Sequence, residues 1–179
     1  ISPDDIDYGK QLNFVLKPLS VGMQNKDRIT LGSFPAFVKT DSLLASIQNE
    51  NNAVLVNAEN VGGTMYSGPG AGAKPTANSV LSDVIDIARG KIFDYGKFVE
   101  QNLSSSFDNF SCDRYLKLQV NDKPGVVAKI STLLAKNNLS IDNLIQKELE
   151  RSDDKIPLVM VLSNSDETTI QETVKELEA

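Results

Sequence analysis

Apolar residues occur along the chain in short runs whose period changes from one run to the next, and each change marks an element. Ser2-Pro3-Asp4-Asp5 sets a hydroxyl at a helix cap, proline at the first helical position and acids in the first turn, which predicts a short helix to about Leu12. Phe14-Val15-Leu16-Lys17 and Arg28-Ile29-Thr30-Leu31 read as two strands of a hairpin, separated by Gly22 and the polar Gln24-Asn25-Lys26-Asp27. Pro18 and Pro35 cannot donate to a ladder, so these strands should meet edges or bulges there. Thr40 or Asp41 can cap a short helix through Leu43, Leu44 and Ile47, followed by a polar turn over residues 49–52. Strands follow at Ala53-Val54-Leu55-Val56 and Thr64-Met65-Tyr66. After Pro75, Ala77, Val80, Leu81, Val84, Ile85 and Ala88 recur at helical spacing up to Gly90.

Residues 101–113 read QNLSSSFDNFSCD, a polar linker. The pattern then restarts with a strand over 115–120, a turn at Asn121-Asp122-Lys123 and a helix from Pro124 to about Lys136. Strands over 141–146 and 158–162 and a helix over 166–177 complete the run. The order is β-α-β-β-α, the beginning of a ferredoxin-like module, and the sequence stops before a closing strand.

Composition narrows the chemistry. Of the 179 residues 40% are hydrophobic and 23% charged, as in globular proteins, and no stretch approaches the ~20 apolar residues of a membrane helix. A net charge of −6 argues against a phosphate-backbone binder, so no nucleic acid and no membrane partner is expected. There is no histidine and one cysteine, Cys112. Ser/His and Cys/His nucleophiles, Cys/His zinc sites and an intrachain disulfide are therefore excluded, and no metal site is predicted. A single cysteine fits a reducing cytoplasm. The first residue is Ile1 rather than Met, which suggests a piece of a longer protein.

Two loops carry candidate chemistry. Gly68, Pro69, Gly70, Ala71 and Gly72 lie between a strand and a helix, where main-chain amides and the positive helix end can face an anion or a flat ligand. A simple tight strand-to-helix turn accounts for the same residues. Gly68, Gly70 and Ala73 fit a relaxed G-x-G-x-x-A, yet the helix leads into a linker rather than a second parallel strand, so this is no Rossmann half. Lys74 precedes Pro75 rather than Ser or Thr, which excludes a Walker loop. In the second loop Asp122 can cap the helix and Pro124 set its first turn. Gly125 would leave the amides of Gly125 and Val126 open to a carboxylate, although on the residues alone a plain N-cap is the simpler reading.

The stretch GPGAGAKPTANSVLSDVIDIAR, from Gly68 to Arg89, resembles the long C-terminal signature of the homoserine dehydrogenase family. The resemblance extends back through NAVLV at 52–56, VGGTM at 61–65 and ISPDDI at 1–6, and covers about residues 1–90. In that family the loop Gly68, Pro69, Gly70, Ala71, Gly72 lies against the nicotinamide nucleotide, which implies NAD(P) as the cofactor of the complete enzyme. The family's glycine-rich nucleotide motif is absent from these residues. So is the segment bearing its substrate-binding acids and catalytic lysine, which in relatives lies just upstream of Ile1. No catalytic residue is carried over, and Lys10, Lys17 and Lys74 read as solvated surface charges. Gly63 stands where many relatives have an acid.

Arg114 to Ile130, with its DKPGV core at 122–126, resembles the opening of an ACT domain. The resemblance implies sheet-paired copies that bind a small amino acid, threonine in this setting, between Asn121, Asp122, Gly125 and Val126 of one copy and Ile141, Asp142 and Asn143 of another. Ser163-Asn164 replaces a Thr-His pair common in these dehydrogenases.

The fold expected is α+β: a partial mixed α/β catalytic and dimerisation region at 1–100, a linker at 101–113, and a βαββα ACT module at 114–179 without its last strand. The activity implied is the NAD(P)-dependent interconversion of aspartate semialdehyde and homoserine in a cytoplasmic homo-oligomer, this piece alone being inactive. A non-catalytic amino-acid-binding or oligomerising module is the alternative.

Overall fold

The computed structural model describes residues 1–25, 28–91, 104–105, 110–146 and 155–178. The elements are α1 (Pro3–Gln11), β1 (Phe14–Asn25), β2 (Arg28–Lys39), a 3₁₀ turn (Leu43–Ser46), β3 (Asn51–Ala58), β4 (Gly62–Pro69), α2 (Ala73–Ala88), β5 (Ser104–Ser105), β6 (Cys112–Asn121), α3 (Val126–Lys136), β7 (Ile141–Gln146), β8 (Lys155–Ser165) and α4 (Glu167–Glu178). The fold is α+β, and the βαββα order is present from β6 to α4. The chain divides into two compact units, Ile1–Phe37 with Leu103–Ala179, and Val38–Asn102. Among the described residues, no helix is long and apolar enough to cross a membrane.

In the first unit β1, β2 and β5 form one sheet and β6, β8 and β7 another, in those orders. β8 lies between antiparallel partners, with Leu116 opposite Met160 and Leu144 opposite Met160 on the other side. Strand alternation sends Leu158, Met160 and Leu162 to one face, where they join Ile130, Leu134 and Leu139 in the core, flanked by Leu116, Leu118, Ile170 and Leu177. Val159 and Val161 point to the opposite face and are also buried. β8 is therefore covered on both sides, as its nearly unbroken apolar run from Ile156 to Leu162 demands.

The second cover includes residues of α1, β1 and β2. Gly9, Leu12, Phe14 and Phe37 line a cavity of about 40 Å³ together with Asp113, Arg114, Tyr115 and Val161. A Cβ on Gly9 would stand 2.9 Å from Phe37 Cδ1, so glycine lets that ring lie on the helix. Phe37 in turn tilts against Tyr115 with ring centroids 4.8 Å apart.

A polar cluster pins this cover in place. Asp5 is 5% exposed. Its Oδ2 accepts the Ser2 N–H at 2.6 Å and the Ser2 hydroxyl at 3.0 Å, as a residue three positions after the cap can. Its Oδ1 accepts the Tyr115 hydroxyl at 2.9 Å and pairs with Lys117 Nζ at 2.5 Å. Lys117 Nζ also donates to Ser2 Oγ at 3.0 Å. Burial raises the Asp5 carboxyl pKa, but the hydrogen bonds from Lys117, Ser2 and Tyr115 outweigh it and hold the group well below the usual carboxylate range.

In the second unit β3 and β4 pair antiparallel from Asn51 opposite Pro69 to Ala58 opposite Gly62. No residue of α2 is buried, and Val80, Leu81, Val84 and Ile87 are more than half exposed.

Several local expectations are corrected. β1 and β2 extend beyond Lys17 and Leu31 and run through Pro18 and Pro35. The edges expected at the prolines are present, because β1 is an edge strand and β2 meets β5 only at Arg28 and Ile29, which leaves Pro35 unpaired on that side. The 3₁₀ turn is capped by Ser42, whose Oγ accepts the Leu44 N–H at 3.4 Å, rather than by Thr40 or Asp41. The residue at the α3 cap is Gly125 at φ +89°, and the helix begins at Val126 rather than Pro124. Of the stretch read as a linker, residues 101–103 and 106–109 lie outside the described residues, as do 26–27 of the hairpin turn. Ser104–Ser105 pairs in parallel with β2.

The Asp5 cluster fixes an acid response. A carboxyl with a depressed folded-state pKa contributes its full stability above its unfolded value, near pH 4, and loses it as pH falls through the folded one. Urea unfolding at pH 7 and pH 3 should show wild type losing midpoint on acidification and Asp5→Asn losing distinctly less; equal losses would contradict the assignment.

Candidate functional site

The glycine loop links β4 to α2 in the second unit. Gly70 donates its N–H to the Glu50 carbonyl at 2.7 Å, and its missing Cβ is the space occupied by the Asn52 side chain. That amide is thus not bare, as the sequence had suggested. Glycine at 70 answers to the neighbouring strand. Gly72 is the helix cap at φ +121°, ψ 154°, a conformation L side chains rarely adopt, and its carbonyl accepts the Thr76 N–H at 3.1 Å. Gly68 differs from both, because a Cβ there would meet nothing within 4 Å.

Pro69, Gly70, Ala71 and Gly72 are exposed and Gly68 half-buried, so the loop presents main chain outward. Residues 68–74 contain no acid and one lysine, Lys74. The first turn of α2 adds unsatisfied amides and the positive dipole end, apart from Pro75, which has no N–H. The surface suits an anionic ligand that lies flush on backbone.

The second loop follows β6. Lys123 donates its N–H to the Asn121 carbonyl at 2.9 Å, and the Val126 N–H is taken by the Lys123 carbonyl at 3.3 Å. Of the two amides expected to be open, Val126 is therefore used within the turn. Gly125 has open space beside its Cα and a left-handed backbone. Ile141 and Asn143 begin β7 across a bulge at Asp142, whose Oδ1 accepts the Ser163 hydroxyl at 2.6 Å.

The structure does not bring these two groups together in one copy. Asn121 stands opposite Lys155, whereas Arg114 and Ile141 both stand opposite Leu162. Seven residues of strand, roughly 20–25 Å, separate the two ends. A ligand touching both groups needs a second copy.

The Asp5, Tyr115 and Lys117 cluster was not singled out from the sequence. Ser2 and Asp5 at capping-box spacing were the only local signal. Arg114 is also engaged, with Nη1 2.9 Å from Glu167 Oε2 and Nη2 donating to the Phe110 carbonyl at 2.9 Å. Burial pushes the Cys112 thiol up, which disfavours the nucleophilic thiolate. Among the described residues no group of acids and cysteine could hold a metal ion.

Comparison with known proteins places these loops in context. A family model for homoserine dehydrogenase matches residues 1–85 and one for the ACT domain matches residues 114–179. The homoserine dehydrogenase of Helicobacter pylori is 34% identical over 180 residues, covering 99% of this chain and 42% of its own length. That of Pseudomonas aeruginosa is 33% identical, covering 98% and 43%. The crystal structure of a homoserine dehydrogenase from Thiobacillus denitrificans superposes with a TM-score of 0.82 at 27% identity, covering 99% of this chain and 42% of that one. The chain thus spans somewhat over two fifths of the relatives it matches. With both family segments in the same order and nearly the whole chain aligned, it belongs to the homoserine dehydrogenase family.

Proposed function

We propose that this chain is the C-terminal part of an NAD(P)-dependent homoserine dehydrogenase that interconverts aspartate semialdehyde and homoserine, with an ACT module through which threonine regulates it. The catalytic and dimerisation region spans residues 1–100 and the module 114–179, joined by 101–113; the complete protein is a cytoplasmic homo-oligomer. The observation that carries this reading is the outward-facing main chain between β4 and α2, in a chain of this family.

Gly68, Pro69, Gly70, Ala71 and Gly72 fit a nicotinamide nucleotide in chemistry as well as shape. They offer backbone to a flat ring, with Lys74 and the α2 amides nearby for phosphate. When bound, the nucleotide supplies or accepts the hydride. This chain's own contribution is to position it, since none of its residues is assigned to proton transfer, and alone it is inactive.

Gly68 allows a clean test, because a Cβ at this β4 position meets nothing within 4 Å. In the full-length enzyme Gly68→Val should keep the wild-type melting temperature and raise the KM for the nicotinamide nucleotide at least tenfold. Gly70→Val would displace the exposed Asn52 amide, which can swing away, and should change stability by no more than about 0.5 kcal/mol. Unchanged nucleotide affinity in Gly68→Val would contradict the site.

The separation of the two effector half-sites along the sheet supports an amino acid bound between copies, through Asn121, Asp122, Gly125 and Val126 of one and Ile141, Asp142 and Asn143 of the next. Threonine at a hundredfold excess over its Kd would stabilise the folded state by about 2.7 kcal/mol. Calorimetry of the full-length enzyme should detect threonine binding that strengthens with protein concentration; no heat and no thermal shift would contradict an effector role.

A further inference from the structure

The two compact units do not coincide with the two family segments. The homoserine dehydrogenase match runs over residues 1–85, yet Ile1–Phe37 belongs to the same compact unit as the ACT segment at 114–179. α1, from the catalytic-region segment, meets β6, from the regulatory segment, through a buried carboxylate. We propose that the cluster of Asp5, Tyr115 and Lys117 is the coupling point at which the ligand state of the ACT module is passed to the catalytic region.

β6 has two faces with two jobs. Leu116, Leu118 and Val120 lie in the module's core beside α3, so movement of the ligand loop or of α3 is felt along this strand. Tyr115 and Lys117 alternate with them and grip Asp5 from the other face. Lys117 lies only four residues before Asn121, where the proposed effector loop starts.

On the receiving side the grip has two outlets. Asp5 and Ser2 form the capping contacts of α1, and Lys117 bonds both of them, so a shift of β6 bears on the start of that helix. Tyr115 also tilts against Phe37, the last residue of the first unit's N-terminal stretch. The next residue, Val38, opens the unit that carries the glycine loop. A charge pair with further hydrogen bonds on both carboxylate oxygens suits this role, because a small displacement breaks directional bonds where an apolar contact would slide.

The inference rests on threonine being the module's ligand, and the experiment separates the two claims. In the full-length enzyme, threonine binding is measured by calorimetry and its inhibition by activity, for wild type, Lys117→Met and Tyr115→Phe. Both variants should bind threonine within threefold of wild type, while its inhibition constant for activity rises at least tenfold in Lys117→Met and in the same direction in Tyr115→Phe. Hydrogen exchange at the α1 amides should respond to threonine in wild type and not in Lys117→Met. Should Lys117→Met fail to fold, Tyr115→Phe, which keeps its ring on Phe37, carries the test. Variants that bind threonine and remain inhibited as strongly as wild type would overturn the coupling role alone. A wild-type enzyme that binds no threonine would overturn the effector reading and the coupling with it.

Discussion

The arrangement of the first unit follows from one constraint: β8 has apolar side chains on both faces and needs a cover on each. α3 and α4 supply one, burying Leu158, Met160 and Leu162. A freestanding βαββα module would leave Val159 and Val161 in water, at about 1.5–3 kcal/mol each. Here they are buried, and residues of α1, β1 and β2 line the cavity beside Val161. α1 buries Tyr8 and Gly9 but is short and otherwise largely polar. The Asp5 carboxylate, bonded at one oxygen to its own helix cap and at the other to β6, adds a directional tie to that apolar contact.

That constraint gives the ACT segment a surface shared with the N-terminal part of the homoserine dehydrogenase segment. A module tied to its host only by a linker would have to signal through whatever surfaces happened to meet. In this chain the strand leading to the proposed ligand loop is also the strand that holds α1. The glycine loop occupies the other unit, where Gly70 and Gly72 are fixed by local geometry and Gly68 alone leaves its face free.

Local features were legible in the sequence and distant ones were not. Ser2-Pro3-Asp4-Asp5 announced α1 because a cap, an N1 proline and first-turn acids act within four residues. The same holds for α2, whose apolar spacing runs to a glycine at φ +72°. α3 starts at Val126, two residues after the expected Pro124, because the left-handed backbone of Gly125 keeps Pro124 outside the helix. Strand lengths through Pro18 and Pro35 depended on which sides of β1 and β2 are paired, which no local window contains. The reason for Gly70 is Asn52, whose cross-strand partner is Gly68, and only the pairing register reveals it. The Asp5 cluster joins residues more than 100 positions apart, so its members read separately as a capping acid, a strand tyrosine and a strand lysine.

The pairing of Asp5 with Lys117 ties the two family segments together within the first unit. A double-mutant cycle tests it most directly: wild type, Asp5→Asn, Lys117→Met and the double variant, each unfolded in urea at pH 7. Lys117→Met alone, which leaves a buried carboxylate without its cation, should cost about 1.5–3 kcal/mol, and much less in the Asp5→Asn background, giving a coupling energy above about 1 kcal/mol. Additive effects, with a coupling energy indistinguishable from zero, would contradict it.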